Sequence, residues 1–249
     1  MKICLDIGGW SIESGLISGK KIIKKFETNT NAQKGQKTVL ANIVKAIEAV
    51  YDSKASSINV GIPGPADYGK GLIGNSPNLP LSHFNVKAFL TSKFSKPVKM
   101  DNDASCFALG EAVYGAGKNY DVALGLTLGT GIGGGLVLGK KPYRGRGNAT
   151  EFGHILMGDR DWEHSFQKLK KKGKITNYKK FGQLLGKGIV SLMHAIDPDI
   201  VVIGGGISAD FPRFRGEMEK TIRKYALFRP CPVVRSRLKH AALLGANLL

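Results

Sequence analysis

The sequence is poor in cysteine, and its three cysteines, Cys4, Cys106 and Cys231, lie far apart. No CxxC pair occurs, and an odd number of distant cysteines argues against a disulfide framework. No stretch approaches the roughly 18 apolar residues of a membrane helix. The first ten residues, MKICLDIGGW, do not have the pattern of a signal peptide. These absences predict a cytoplasmic protein with reduced thiols and no membrane partner.

Acidic residues are scarce beside basic ones: the 249 residues include 37 Lys and Arg but only 19 Asp and Glu, a formal net charge of +18. Seven lysines lie between Lys168 and Lys180, in the run KLKKKGKITNYKK. This basic run is typical of a solvated face, and it also suits a surface for a polyanion such as nucleic acid, a membrane or a phosphate polymer. Because aromatic residues are sparse in it, base stacking is weakly supported and we expect no specific nucleic-acid partner.

The apolar pattern alternates between strands and helices, which predicts an α/β fold. Two segments resemble each other, because each begins as a glycine-punctuated β-hairpin: DIGGWSIESGLISGKKI and LGTGIGGGLVLGKKPY. We therefore predict two related α/β lobes with a cleft between them. A Rossmann sheet is the competing interpretation, but its glycine motif passes from a strand into a helix. Here the run Gly129–Gly135 is followed by a second strand, LVLGKKPY.

Each predicted hairpin has a turn suited to phosphate. Asp6 is followed by Gly8 and Gly9, and the second hairpin contains Gly129, Thr130 and Gly131. Glycines let backbone N–H groups approach phosphate oxygens without interference from a Cβ atom. The Asp6 carboxylate is suited to hold Mg²⁺, directly or through water. Either turn taken alone is also explained as a plain hairpin turn, but that explanation leaves the repetition in two lobes without a reason.

Three further strings carry polar or glycine residues beside predicted strands. In DNDAS, Asp103 is a candidate helix N-cap and a candidate general base, and neighbouring residues can fill both roles. In EFGH, Glu151 and His154 are three residues apart and suit the vicinal hydroxyls of a sugar. A histidine in such a place is otherwise a structural one. In IGGGIS, the glycines after a buried strand predict a flat surface for a planar ring or nucleoside.

Together these motifs resemble, in order and over nearly the whole chain, the ROK family of the actin/hexokinase-like superfamily. The matching strings are DIGGWSIESGLI, VGIPGPADYGKGLIGNSPNLP, DNDASCFALGEAVYGAG, LTLGTGIGGGLVLGKKPYRGRGNATEFGH, PDIVVIGGGIS and LKHAALLGANLL. The resemblance implies two RNase H-like lobes. Residues 1–103, joined by a returning helix at about 236–249, would form the N-terminal lobe, and residues 104–235 the C-terminal lobe.

The resemblance implies a hexose kinase, glucokinase-like, that transfers the γ-phosphate of ATP with Mg²⁺ to a sugar hydroxyl. Asp103 matches the catalytic base. The positions that match sugar contacts are Gly64, Asn78, Asn102, Asp103, Glu151 and His154. Asp6 matches the carboxylate near the metal and phosphates. The positions that match phosphate or nucleotide contacts are Gly8, Gly9, Gly129, Thr130, Gly131, Gly205 and Gly206. A homodimer is the habit of the family.

The sequence departs from the family pattern in three places. The cysteine-rich zinc motif that often follows the sugar-binding histidine is missing, so we expect no zinc, and Glu163 is the candidate for that motif's sugar-binding glutamate. Trp10 replaces the usual Thr after DIGG, and Ser11 is the candidate for the lost hydroxyl contact to phosphate. No helix-turn-helix precedes Met1, so we do not expect a repressor.

Two alternatives to an ATP-dependent kinase stay open. The missing zinc motif, the short chain and the ending VVRSRLKHAALLGANLL also resemble the polyphosphate glucokinases of the family, and the charge of +18 suits a polyanionic donor. ATP is the favoured donor because SPNLP is more like the ATP-using members. A sugar-sensing relative without turnover is the second alternative, with Trp10 as its sign. The identity of the hexose is left open.

Overall fold

The computed structural model describes residues 1–249. Its first part, up to Asp101, contains seven strands, two helices and one 3₁₀ turn (Ala32–Lys34). They are β1 (Lys2–Ile7), β2 (Ser11–Ser18), β3 (Lys21–Asn29), α1 (Gln36–Ala49), β4 (Ile58–Gly61), β5 (Ala66–Asp67), β6 (Leu72–Ile73), α2 (Val86–Phe94) and β7 (Val98–Asp101).

The rest of the chain contains seven strands, five helices and two 3₁₀ turns (Phe152–His154 and Gly206–Asp210). They are α3 (Asp103–Tyr114), β8 (Val122–Leu128), β9 (Ile132–Leu138), β10 (Lys141–Pro142), α4 (Trp162–Gln167), β11 (Lys170–Lys171), β12 (Lys174–Ile175), α5 (Tyr178–Ile196), β13 (Ile200–Gly204), α6 (Phe211–Tyr225), β14 (Val233–Arg235) and α7 (Ala241–Ala246).

Two five-stranded sheets have the same topology. The first runs β3-β2-β1-β4-β7 and the second β10-β9-β8-β13-β14. In each, an antiparallel meander of three strands is followed by two strands parallel to the first. The α/β prediction with two related lobes is therefore confirmed, including the strand-to-strand passage at Gly129–Gly135 that excluded a Rossmann sheet. The predicted lobe boundaries stay a prediction.

Each sheet has its own apolar core. One cluster of 23 buried residues packs α1 and α2 on the first sheet, and another of 21 packs α4, α5 and α6 on the second. The central parallel strand β13, sequence IVVIG, is buried at every residue, as expected for a strand covered on both faces. No helix is both long and apolar enough to cross a membrane.

The helices α3 and α7 pack closely between the two sheets. Gly110 of α3 faces the Ala241 backbone and Gly245 of α7 faces the Cys106 backbone, so neither position leaves room for a Cβ atom. From α7, the Ala246 carbonyl accepts a hydrogen bond of 2.8 Å from Asn59 Nδ2 of β4. The last helix therefore joins the first sheet to α3.

Candidate active site in the cleft between the sheets

One cleft of about 890 Å³ lies between the two sheets, and every site residue predicted from the sequence lines it. The residues are Asp6, Gly8, Gly9, Ser11, Gly64, Asn78, Asn102, Asp103, Gly129, Thr130, Gly131, Glu151, His154, Glu163, Gly205 and Gly206. They come from eight separate stretches of chain, which only the fold brings together. Their chemical roles stay predictions.

The register of the first sheet explains the acidic floor of the cleft. Asp6 of β1 pairs with Gly61 of β4, which pairs with Asp101 of β7. Because these three strands are parallel, their carboxyl ends meet at one edge of the sheet. Asp6 and the Asn102–Asp103 pair that follows β7 therefore reach the same side of the cleft.

In the second sheet the ends of the parallel strands also meet at one edge, and glycines stand there in place of the acidic residues. Thr127 of β8 pairs with Gly204 of β13, so the turn after β8 and the turn after β13 lie side by side. Gly205 has φ +80°, and a Cβ atom there would collide with the Leu128 backbone. The close approach of these two turns requires glycine at this position.

The two phosphate-type turns face each other across the cleft. A Cβ atom on Gly9 would lie 3.5 Å from the Asn78 carbonyl oxygen and 4.0 Å from Thr130 Oγ1. The Gly8 N–H donates to the Ser11 carbonyl at 2.9 Å and closes the first turn. Trp10 projects away: its side chain is 78% exposed and does not line the cleft, whereas Ser11 does.

The N-cap of α3 is Asn102 and not Asp103, which corrects the cap expected from the sequence. Asn102 Oδ1 accepts from the Ser105 N–H at 3.0 Å, while Asp103 is the first helical residue. Asp103 Oδ1 accepts only from the adjacent Ala104 N–H, at 2.9 Å. Burial in the cleft raises the pKa of Asp103 to about 6, and the nearby Glu151 carboxylate adds to the rise. A weakly held carboxyl of this pKa suits proton transfer.

Asp6 has the environment of a cation ligand. The pKa of its carboxyl is raised to about 8, mainly by burial and in smaller part by the negative charges of Asp103 and Glu13, with no basic group opposing them. An unpaired carboxylate among other carboxylates fits an oxygen-ligated divalent ion such as Mg²⁺. No group of three or more His, Cys, Asp or Glu side chains is arranged to hold a metal by itself. A metal here would therefore complete its ligand shell with water or substrate oxygens.

Three of the sugar-type residues, Gly64, Asn102 and Glu151, lie close together in the cleft. A Cβ atom on Gly64 would lie 3.2 Å from Glu151 Oε1 and closer still to the Tyr68 hydroxyl. Tyr68, buried and not singled out from the sequence, accepts from Asn102 Nδ2 at 3.3 Å and donates to the Ile62 carbonyl at 3.3 Å. Tyr68 thus ties Asn102 to the Gly64 loop. The string GPADYGK gives no local signal that this hydroxyl reaches Asn102.

The loop between β10 and Glu151 contributes two residues that sequence reasoning missed. Arg144 reaches from this loop to the buried Asp101, with Nη2 to Oδ2 at 2.6 Å. Asn148 Oδ1 accepts from the Ala66 N–H at 2.9 Å. Both contacts cross between the sheets, and the string RGRGNATEFGH gives no local signal for either partner.

One lysine of the basic run, Lys170, contacts a turn that lines the cleft, so the run is not wholly a solvated face. Lys170 Nζ donates to the Gly129 carbonyl at 3.0 Å and also to that of Thr130, which holds the second phosphate-type turn from behind. Burial lowers the pKa of Lys170. The Glu163 carboxylate is drawn to the same turn and accepts from the Ile132 N–H at 2.9 Å. Lys171, Lys172 and Lys174 are exposed.

Comparison with known proteins gives one consistent result. The model of the ROK family matches residues 2–170 and 168–249. A glucokinase from Thermotoga maritima is 39% identical over 160 residues, which span 62% of this chain and 50% of that protein. An N-acetyl-D-glucosamine kinase from Citrobacter koseri is 29% identical over 254 residues, which span 82% of this chain and 83% of that protein. The crystal structure of a ROK hexokinase from Thermus thermophilus superposes with a TM-score of 0.82 at 29% identity, over 99% of this chain and 96% of that one.

Proposed function

The chain belongs to the ROK family, and on that premise we propose that it is a sugar kinase that transfers the γ-phosphate of ATP to a hexose hydroxyl. The 6-hydroxyl of glucose or of a related hexose or N-acetylhexosamine is the proposed acceptor. The observation that carries the proposal is the meeting of a weakly held carboxyl, Asp103, with two facing glycine turns in one cleft.

Asp103 would act as the general base. The sugar hydroxyl gives its proton to the Asp103 carboxylate as its oxygen attacks the γ-phosphorus, the bond to the β–γ bridging oxygen breaks, and ADP leaves. Such a transfer depends on positioning and charge neutralisation more than on covalent chemistry. The N–H groups of Gly9, Thr130 and Gly131 would supply part of that neutralisation. Those of Gly8 and Gly129 already donate within their own turns, to the carbonyls of Ser11 and Gly131.

Mg²⁺ would be held by Asp6, directly or through water, and would neutralise phosphate charge when bound. The sugar would lie among Gly64, Asn78, Asn102, Glu151 and His154, with Glu163 beside them. The nucleoside would lie against Gly205 and Gly206. We propose a cytoplasmic location and a homodimer on the family resemblance alone.

A sugar sensor without turnover is the weaker candidate. The sequence feature that suggests a sensor is Trp10, but this residue is exposed and does not line the cleft, so it does not block the first phosphate-type turn. Ser11 lines the cleft and offers a hydroxyl beside that turn. Both observations support an enzyme.

The test is a coupled assay of ADP release with glucose, mannose, fructose, N-acetylglucosamine and N-acetylmannosamine, each with ATP and Mg²⁺. We expect saturable turnover with at least one sugar. Binding of a sugar without turnover with ATP or polyphosphate would favour the sensor.

The pH dependence of kcat at saturating Mg²⁺, ATP and sugar tests the role of Asp103. A base must be ionised, and the pKa of Asp103 is raised from 3.8 to about 6. With Asp6 occupied by Mg²⁺ and the sugar site filled, we expect kcat to fall about tenfold per pH unit below about 6, since the protonated carboxyl cannot accept a proton. The His154→Gln variant should retain this bend, because the bend belongs to Asp103. A rate that stays level down to about pH 4.5, with the fold intact by circular dichroism, would exclude Asp103 as the base.

Substitution of the exposed lysines of the basic run tests which phosphoryl donor the enzyme uses. Lys171, Lys172 and Lys174, changed together to Gln, should leave the ATP KM within about threefold, because isolated surface charges contribute little. The Lys170→Gln variant is the matched comparison and should raise the ATP KM more, because Lys170 holds the carbonyls of Gly129 and Thr130.

Polyphosphate is the alternative donor, and its length would carry it past the cleft onto the exposed lysines. Its use should then fall steeply with salt, with a log–log slope of about −0.7 per phosphate contact, by analogy with single-stranded nucleic acid. If the enzyme is inactive with ATP, active with polyphosphate and loses most of that activity in the triple variant, then polyphosphate is the donor and not ATP.

A further inference from the structure

The side chain of His154 is held from outside the cleft by an aspartate. His154 Nδ1 lies 3.0 Å from Asp161 Oδ2. Exposed ion pairs of this kind usually contribute little, because both side chains move freely. Asp161 can orient the His154 ring only if its own carboxylate is held in place.

Asp161 is fixed through its second oxygen and through the backbone. Its Oδ1 accepts from the His164 N–H at 2.7 Å and caps α4. Trp162, the next residue, is fully buried and packs on Gly188 of α5. The carboxylate therefore has one oxygen committed to the helix and the other to His154.

The chain between the two residues is a closed loop. The Trp162 N–H donates to the Ile155 carbonyl at 2.9 Å, and the Met157 N–H donates to the Arg160 carbonyl at 2.7 Å. These bonds hold residues 155–162 as a small hairpin. The hairpin brings Asp161 back beside His154, which immediately precedes it, although the two residues are seven positions apart in the chain.

The helix that Asp161 caps also holds the second phosphate-type turn. Glu163 accepts from the Ile132 N–H at 2.9 Å, and Gln167 Nε2 donates to the Thr130 carbonyl. One short segment, residues 161–170, thus braces the histidine on one side and the turn on the other. No metal-ligand cluster is available to do so.

We propose that Asp161 is a positioning residue for sugar binding, which fixes the ring of His154 and keeps the proton of the neutral ring on Nδ1. Nε2 then presents a lone pair to the cleft beside the Glu151 carboxylate. Two adjacent acceptors suit two neighbouring sugar hydroxyls that act as donors. That the ligand is a sugar rests on the proposed function, whereas the tautomer of the His154 ring does not.

The Asp161→Asn variant separates this role from capping. Asn is as good an N-cap as Asp, so its Oδ1 can keep the bond to His164 N–H. Its amide then presents N–H to His154 Nδ1, which favours the opposite tautomer with the proton on Nε2. Asp161 raises the pKa of His154, so the constants are compared well above neutral pH, where the ring is neutral in both chains. We expect the sugar KM to rise about tenfold there, the size of effect typical when an orienting partner is lost, with kcat within about threefold. The Asn85→Asp variant, the reverse exchange at the cap of α2, is the control and should leave both constants unchanged.

Nitrogen NMR of the histidine rings, well above neutral pH, reports the tautomer without turnover. The His154 signal, assigned by its loss in His154→Gln, should change from an Nδ1–H to an Nε2–H pattern in Asp161→Asn. In the His154→Gln background, Asp161→Asn should add less than about twofold to the sugar KM, because Asp161 acts through the ring.

An unchanged tautomer, or an equal rise in KM in both backgrounds, would overturn the proposal and leave Asp161 as a cap alone. If the wild-type chain phosphorylates no sugar, the proposed function fails, while the NMR comparison still decides whether Asp161 sets the protonated nitrogen.

Discussion

Replacement of Asp103 by Asn is expected to lower kcat by about 10²–10⁴, the usual contribution of a general base, while the sugar still binds. The amide has nearly the shape of the carboxylate and cannot accept the hydroxyl proton. Helix α3 should keep its start, since Asn102 caps it and Asp103 bonds only to the neighbouring Ala104 N–H. The measurement is kcat by coupled assay together with sugar affinity by calorimetry.

The matched control for this variant is Asn102→Asp, which exchanges the same groups one residue earlier and keeps a good N-cap. It should retain the cap while disturbing the contact with Tyr68, so its main effect should be on sugar binding. Near wild-type turnover in Asp103→Asn would show that the proton goes elsewhere.

Gly245→Ala should lower the free energy of unfolding by about 2–3 kcal/mol, the cost of overpacking a close contact. A Cβ atom on Gly245 would collide with the Cys106 carbonyl oxygen, which belongs to the backbone of α3 and cannot rotate away. Helix α7 would have to move, together with its bond to Asn59 and the cleft-lining Ala241 and Ala242. Activity should therefore fall with stability.

Gly216→Ala is the control for the glycine substitution. Gly216 also lies in a helix, α6, but a Cβ atom there would meet nothing within 4 Å. Alanine is the better helix former by up to about 1 kcal/mol, so this variant should be slightly stabilised. Urea unfolding of both variants decides the matter. An equal response at the two positions would mean that the α3–α7 contact does not constrain the fold.

The sequence was sufficient for the features that depend on local pattern. The two glycine hairpins and the buried strand IVVIG follow from spacing and turn chemistry alone. The convergence of Asp6 and Asp103 depends on the parallel pairing of β1, β4 and β7, which no local pattern specifies. Capping was harder, since Asn102 and Asp103 are both good caps and only the backbone angles choose between them.

Contacts between separately patterned elements could not be predicted. Lys170 looks like its neighbours in the sequence, yet the short β11–β12 hairpin turns it toward Gly129 while Lys171 stays exposed. The pairing of Arg144 with Asp101 depends on how a loop from the second sheet crosses to the first. Angles between elements decide such contacts, and no spacing of residue types encodes them.

The most direct test of the central claim is ³¹P NMR of the chain with Mg²⁺, ATP and the hexose that the assay selects. We expect a sugar-phosphate resonance to grow as the γ-phosphate signal of ATP declines, and both changes to be nearly abolished in Asp103→Asn. A wild-type chain that binds the sugar but produces no sugar phosphate from ATP or polyphosphate would contradict the account.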